Sequence, residues 1–277
     1  MGIIKIALMD MNNNHANQGM RNIKEIAQLF QEQHPGEVEI AYFDIRFKNE
    51  MPNYQEFDIF ISSGGPGTPH REGYAWEQKF ADFLDNIWNH NLENEDKKHL
   101  FLICHSFQLA SIHWKLGNIC KRKSYSFGVM PIHKTDEGDQ EFLLENLPDP
   151  FYAVDSRAYQ FIEPNEKRLE ELGIEIVALE KERPKIHLER AVMAVRFSKE
   201  IFGTQFHPEA DPFGMLENLK DEKNKVAMIK AHGLDKYLET VDRMDDPDKI
   251  ILTRGQILPG FLENAARNIK NTSLITC

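Results

Sequence analysis

Residues 101–110 read FLICHSFQLA: an apolar run ending on a cysteine, then a polar pair, then a helix-forming stretch. A cysteine lifted out of a sheet by a tight strand-to-helix turn can act as a nucleophile, and a helix N-terminus behind it favours the thiolate. Cys104 holds the turn position and Ser106 the small-residue position beside it. The same run also describes a thiol closing a core strand. A second stretch, Ser63-Gly64-Gly65-Pro66-Gly67, offers backbone amides that a ligand can approach closely, as an oxyanion requires. It describes a surface turn equally well. A third, Gly203-Thr204-Gln205-Phe206-His207-Pro208-Glu209, sets a carboxylate two residues beyond a histidine. That is the pairing of a base with its orienter, or a solvated histidine beside a loop proline.

These stretches need delivery to one edge of a scaffold, and the rest of the chain supplies one. Ile3–Met9 is an apolar strand with one lysine. Met20, Ile23, Ala27 and Phe30 recur at helical spacing, so residues 18–33 read as an amphipathic helix stopped by Pro35-Gly36. Val38–Phe43 and Phe57–Ile61 are further strands, the second leading into the glycine-rich stretch. Trp76, Phe80, Phe83 and Ile87 mark a helix across 73–91, and Leu100–Ile103 is the strand that ends at Cys104. Phe107 to Leu116 reads as a buried helix with Gly117 placed to cap it. Strand and helix alternate to about residue 120. This predicts an α/β fold, a three-layer, doubly wound, mainly parallel sheet with helices on both faces.

Ile174–Leu179, Val192–Phe197 and Ile201–Phe206 are strand-like, and Ser198-Lys199-Glu200 makes the last two a hairpin, a short antiparallel addition. Open α/β sheets build their sites at C-terminal strand ends, where all three chemical stretches fall. After residue 212 the chain turns strongly charged, with Leu216, Leu219, Val226, Ile229, Leu238 and Val241 at helical spacing. Asp245-Asp246-Pro247-Asp248 reads as a break, and Ile257–Ile269 as a final helix opened by Pro259. The organisation expected is residues 1–212 as one α/β domain and 213–277 as a helical C-terminal extension.

In this order, the three stretches resemble the class I (triad) glutamine amidotransferase family, in the form of a GMP-synthase-type amidotransferase domain without a fused synthetase. That family carries an SGGPG-like loop, a nucleophile motif G-x-C-x-G-x-Q and a Q-F-H-P-E motif. Here they are Ser63–Gly67, Leu102–Gln108 and Gln205–Glu209. The resemblance covers roughly residues 1–212 and implies a flavodoxin-like fold. It implies that Cys104 attacks the side-chain amide of glutamine to form a γ-glutamyl thioester. His207 would take the thiol proton and return it to departing ammonia, and Glu209 would orient His207. The oxyanion would rest on the backbone N–H groups of Gly65 and His105, while Gly67 and Gln108 would hold the substrate. Asp155-Ser156-Arg157-Ala158-Tyr159 falls where relatives often have a Ser-His pair, in a region whose backbone binds the amino-acid head of glutamine. This adds Ser156, Arg157 and Tyr159 as substrate-binding candidates; Arg157 also reads as a surface salt-bridge residue. Leu102 and Ser106 replace the family's glycines on either side of the cysteine.

Composition limits the alternatives. The 277 residues are 41% hydrophobic and 28% charged, with a net charge of −11, which suits a soluble globular protein and disfavours nucleic acid as the main ligand. The one dense basic cluster, Lys121-Arg122-Lys123, reads as a solvated loop. Cys104, Cys120 and Cys277 make no disulfide framework, which suits a reducing compartment. The N-terminal apolar run is too short for a signal peptide, and no segment has the ~20 apolar residues of a membrane span. Gly2 lacks the Ser or Thr of a myristoylation site. A cytoplasmic location is expected. Cys104, His105 and His113 match no common zinc pattern, so neither metal nor cofactor is expected. Without a Walker loop or a dinucleotide fingerprint, no fused ATP-dependent synthetase is expected. The expected activity is that of a glutaminase or glutamine amidotransferase on glutamine or another γ-glutamyl compound. A synthetase partner in trans and a homo-oligomer are both compatible with it. Two other readings stay open: a stand-alone γ-glutamyl amide or peptide hydrolase, and a non-catalytic binding or regulatory protein that docks or oligomerises through residues 213–277.

Overall fold

The computed structural model describes residues 2–15, 18–182, 188–246 and 249–275. In chain order its elements are β1 (Ile4–Asp10), α1 (Gln18–Gln33), β2 (Val38–Asp44), β3 (Ile59–Ser62), α2 (Ala75–Glu93), β4 (His99–Ile103), α3 (His105–His113), β5 (Gly117–Lys134), α4 (Asp136–Asp139), β6 (Phe151–Pro164), α5 (Glu166–Leu172), β7 (Glu175–Glu180), β8 (Val192–Arg196), β9 (Ile201–Thr204), α6 (Pro212–Lys220), α7 (Glu222–His232), α8 (Leu234–Asp245) and α9 (Ile250–Ile275). The strands join in one sheet of order β2-β1-β3-β4-β9-β8-β7-β5-β6. From β2 to β9 neighbours are parallel, and from β9 to β6 they are antiparallel.

β4 is buried along its whole length, which is why its sequence is a continuous apolar run rather than an alternation. One face of the sheet is covered by α1 and α9, whose Ile23, Phe30, Phe261 and Leu262 meet Ile6, Leu8 and Phe101. The other is covered by α2 and α3, whose Phe80, Phe83, Ile87 and Phe107 meet Ala7, Phe60 and Leu100. These are the three layers of a flavodoxin-like α/β fold, as the alternation of strand and helix implies.

The antiparallel half is larger than one hairpin. β8 and β9 pair as expected, but β5 and β6 form a long ribbon beyond them. Lys121-Arg122-Lys123 extends β5 instead of looping into solvent; Arg122 meets Glu180 at 3.2 Å with its side chain only 7% exposed. Gly117 does not cap α3. The helix ends at Trp114, Lys115 takes the positive φ of 59°, and Gly117 opens β5. A Cβ there would strike the Phe161 ring and the Glu163 carbonyl, so close strand packing explains the glycine. Pro259 lies inside α9 rather than at its start. The ladder bond it forfeits is offset by burial of Ile257, Leu258, Phe261 and Leu262. Within the expected break, Asp245 ends α8 and Asp246 follows it, whereas Pro247 and Asp248 lie outside the described residues, as does Cys277.

The charged C-terminal stretch folds as helices, as its spacing predicts. Asp211 caps α6 by accepting from the Phe213 and Gly214 N–H groups at 3.1 and 2.9 Å, with Pro212 in the first helical position. Leu219, Met228, Tyr237 and Ile250 then pack on Val129, Val154 and Ala210. No described helix is long and apolar enough to cross a membrane.

Candidate active site

β4 ends at Ile103 and α3 begins at His105, so Cys104 alone makes the turn. Its backbone sits at φ 50°, ψ −97°, which residues with a Cβ rarely adopt, at a cost of about 1–3 kcal/mol. Hydrogen bonds hold it there. The Cys104 N–H donates to the Thr204 carbonyl of β9 at 2.7 Å, and its carbonyl accepts from the Gln108 N–H at 3.0 Å. Ser106 adds a staple that a glycine could not. Its buried hydroxyl accepts from the Ile103 N–H at 2.9 Å and reaches the Ser62 carbonyl at 2.9 Å, tying the elbow to the end of β3. Leu102 packs in the apolar layer beneath α3.

The segment after β9 runs back toward the thiol. Gln205 Nε2 donates to the Cys104 sulfur at 3.5 Å. His207 Nδ1 meets Glu209 Oε1 at 2.8 Å, and the His207 N–H donates to the Val154 carbonyl of β6 at 2.8 Å. Glu209 is 1% exposed, and its second oxygen has no hydrogen-bond partner among the described residues. Burial is the largest single influence on the imidazole and opposes its charge. Glu209 and Cys104, each acting as a charge and as a hydrogen-bond partner, together outweigh burial and hold His207 well above its ordinary value. The glycine-rich loop closes over this pair. A Cβ on Gly64 would lie 2.9 Å from His207 Cε1 and 3.3 Å from the Cys104 Cβ, so only glycine permits the approach.

Two backbone donors lie close to Cys104, one on the next residue of the chain and one on the glycine-rich loop that lines the same cavity. His105 is the first residue of α3, and neither its N–H nor that of Gly65 has a partner among the described residues. The His105 imidazole itself is buried; burial first, and Arg46 second, push it down to about 3. Gly65, Cys104, Ser156, His207 and Glu209 line one cavity of about 400 Å³. A thiol, an imidazole and a carboxylate in series, beside two free N–H groups, can attack an acyl carbon, move its proton and hold the resulting oxyanion.

Among the expected substrate contacts, Ser156 lines this cavity; its carbonyl is 3.8 Å from the sulfur and its hydroxyl pairs with the Tyr125 hydroxyl at 2.7 Å. Gln108 lies buried beneath, donating to Gln205 Oε1 at 2.8 Å and to the Tyr159 carbonyl at 3.3 Å. Tyr159 turns its ring edge toward His70, and Gly67, at φ 103°, sits on the loop outside the lining. Arg157 requires a correction. Strand alternation sends Ser156 toward the cavity and its neighbours to the opposite face. There Arg157 binds Asp155 at 3.0 Å and Glu180 at 3.3 Å with 1% side-chain exposure. This is a buried ion cluster, neither a substrate contact nor a surface salt bridge.

Other participants emerge only in three dimensions. Gln205, the first residue of the third motif, touches the sulfur directly. Arg254 of α9 donates to the Glu209 carbonyl at 2.9 Å and meets Glu25 of α1 at 3.2 Å; nothing local in the sequence marks it. His113 pairs with Asp85 at 2.7 Å, and the described residues contain no cluster able to hold a metal ion.

Residues 17–223 match the family described as glutamine amidotransferase class-I. The chain belongs to the class-I glutamine amidotransferase family. This amidotransferase shares its fold with a glutamine amidotransferase from Thermotoga maritima (TM-score 0.68, 15% identity, covering 96% of this chain and 99% of that one). It is similarly close to a glutamine amidotransferase from Methylobacillus flagellatus (TM-score 0.63, 11% identity, 98% and 96%). The glutaminase domain of Trypanosoma brucei CTPS, solved with bound acivicin, matches over 74% of this chain and 86% of that one (TM-score 0.54, 16% identity). No curated protein matches the chain by sequence.

Proposed function

We propose that this amidotransferase hydrolyses the side-chain amide of glutamine through a Cys104 γ-glutamyl thioester and passes the ammonia to an acceptor on a separate protein. The observation that carries this reading is the meeting of His207, buried Glu209 and the strained Cys104 elbow near two backbone N–H groups without partners among the described residues. His207 takes the thiol proton as the sulfur attacks the amide carbon, and Gly65 and His105 donate to the oxyanion. The collapsing intermediate breaks the C–N bond, and His207 gives its proton to the leaving ammonia. Water, deprotonated by His207, then cleaves the thioester to glutamate and free thiol. Glu209 stabilises the imidazolium throughout. In this reading residues 1–212 supply the machinery, and the following extension contributes Leu219 to the cavity. A free catalytic thiol suits a reducing, cytoplasmic setting.

Ammonia release from glutamine by the wild-type chain, its loss in Cys104→Ala, and a covalent adduct at Cys104 with an electrophilic glutamine analogue test the reading. No turnover and no adduct would leave a non-catalytic role. A stand-alone γ-glutamyl amide hydrolase, using the same steps, is the second reading. It is favoured by the cavity of about 400 Å³, whose lining reaches beyond the triad to Leu219 of α6.

A further inference from the structure

The wall of the cavity beyond His207 carries information about what leaves. In amide cleavage the departing nitrogen must sit beside the imidazole that protonates it. Any group on that nitrogen therefore extends along the wall adjoining His207. That wall is made of Phe127, Val154, Ala210 and Leu219. Val154 fixes His207 through its carbonyl, and Ala210, three residues on, donates its N–H to the His207 carbonyl at 3.3 Å. Val154, Ala210 and Leu219 belong to one packed apolar cluster, with Phe127 against it, so the surface is preformed rather than assembled on binding. Leaving ammonia makes no use of such a surface. No lysine or arginine lines the cavity among the described residues, and His207, the imidazole beside this wall, is already paired with Glu209, so a leaving group with a carboxylate gains no ion pair on the wall itself.

We propose that the substrate is a γ-glutamyl amide whose nitrogen bears an uncharged apolar group, and that this group lies on the Phe127, Val154, Ala210 and Leu219 wall. The proposal rests on the acyl-transfer reading of Cys104 and takes the second of the two readings above, the stand-alone γ-glutamyl amide hydrolase. The C–N bond breaks as the thioester forms, the amine leaves with the proton held by His207, and water releases glutamate. The net reaction is hydrolysis, with no redox partner.

The test measures glutamate release by the full chain from glutamine, from γ-glutamyl methyl-, propyl- and hexylamide, and from γ-glutamylglycine. kcat/KM should rise along the alkyl series by up to about fourfold per methylene. The hexylamide should exceed glutamine by roughly tenfold or more, and γ-glutamylglycine should fall below the propylamide. Leu219→Asn should flatten the rise. A flat or falling alkyl series, or a preference for γ-glutamylglycine, overturns this inference while leaving acyl transfer by Cys104 intact. No glutamate from any substrate, together with no adduct at Cys104, overturns both.

Discussion

At the scale of single residues, Glu209 and His207 divide their work by burial. Glu209 is enclosed with one oxygen on the ring and one unpaired, so its charge is balanced chiefly through the imidazolium. Removing that charge lowers the His207 pKa. Glu209→Gln should therefore cut kcat by about 100-fold or more and move the limb of the pH–rate profile set by His207 to lower pH, which steady-state assays at stepped pH will read. Ser106 gives a stability prediction instead. Ser106→Ala strands the Ile103 N–H and the Ser62 carbonyl inside the elbow and should cost about 1–3 kcal/mol, measured by denaturant unfolding. That Cys104, His207 and Glu209 come to one cavity is legible in the sequence because their motifs are local and lie at strand ends. The burial of Arg157 is not legible, because the side of a strand to which a residue points depends on the register of β6, which no local pattern announces. The hydroxyl of Ser106 was visible, but its two partners come from different strands.

Elements show the same division between local and distant information. β1, β3 and β4 could be read directly, since inner parallel strands are continuous apolar runs. β5 turns Arg122 inward to Glu180 between two exposed lysines, so its composition mimics a loop. α9 contributes most beyond its own packing. Arg254 grips the Glu209 carbonyl, and the neighbouring Thr253 hydroxyl donates to the Tyr152 carbonyl at 2.6 Å, two residues before the Val154 carbonyl that holds His207. Arg254→Met should lower kcat roughly tenfold, the cost of one charge-assisted hydrogen bond, with little change in KM. Glu25→Gln, which removes only the outer partner, should have a smaller effect; glutaminase kinetics on both variants separate the two.

For the whole molecule, two buried histidines set the response to acid. His99 is pushed down to about 4, by burial and then by Arg196, and His105 to about 3. Both are neutral when folded, whereas the unfolded chain protonates them below its ordinary value near 6.5. The unfolded state thus binds more protons from pH 6.5 downward, and stability falls as the pH drops toward those folded values. At pH 4 each histidine should cost about 2–3 kcal/mol, so His99→Phe should flatten the decline in melting temperature between pH 6.5 and 4. His99 faces Phe261 of α9, whose apolar side completes the same core that begins with β1. That helix is the last described element to be synthesised. Ribosomes add about 5–20 residues per second, so roughly 10–30 s separate the making of Cys104 from that of Ile275. Through that interval the chain lacks the arginine that grips the Glu209 segment and the side of the core beneath β4. A chain still being made therefore lacks the Arg254 contact to the Glu209 segment until translation has reached the final helix.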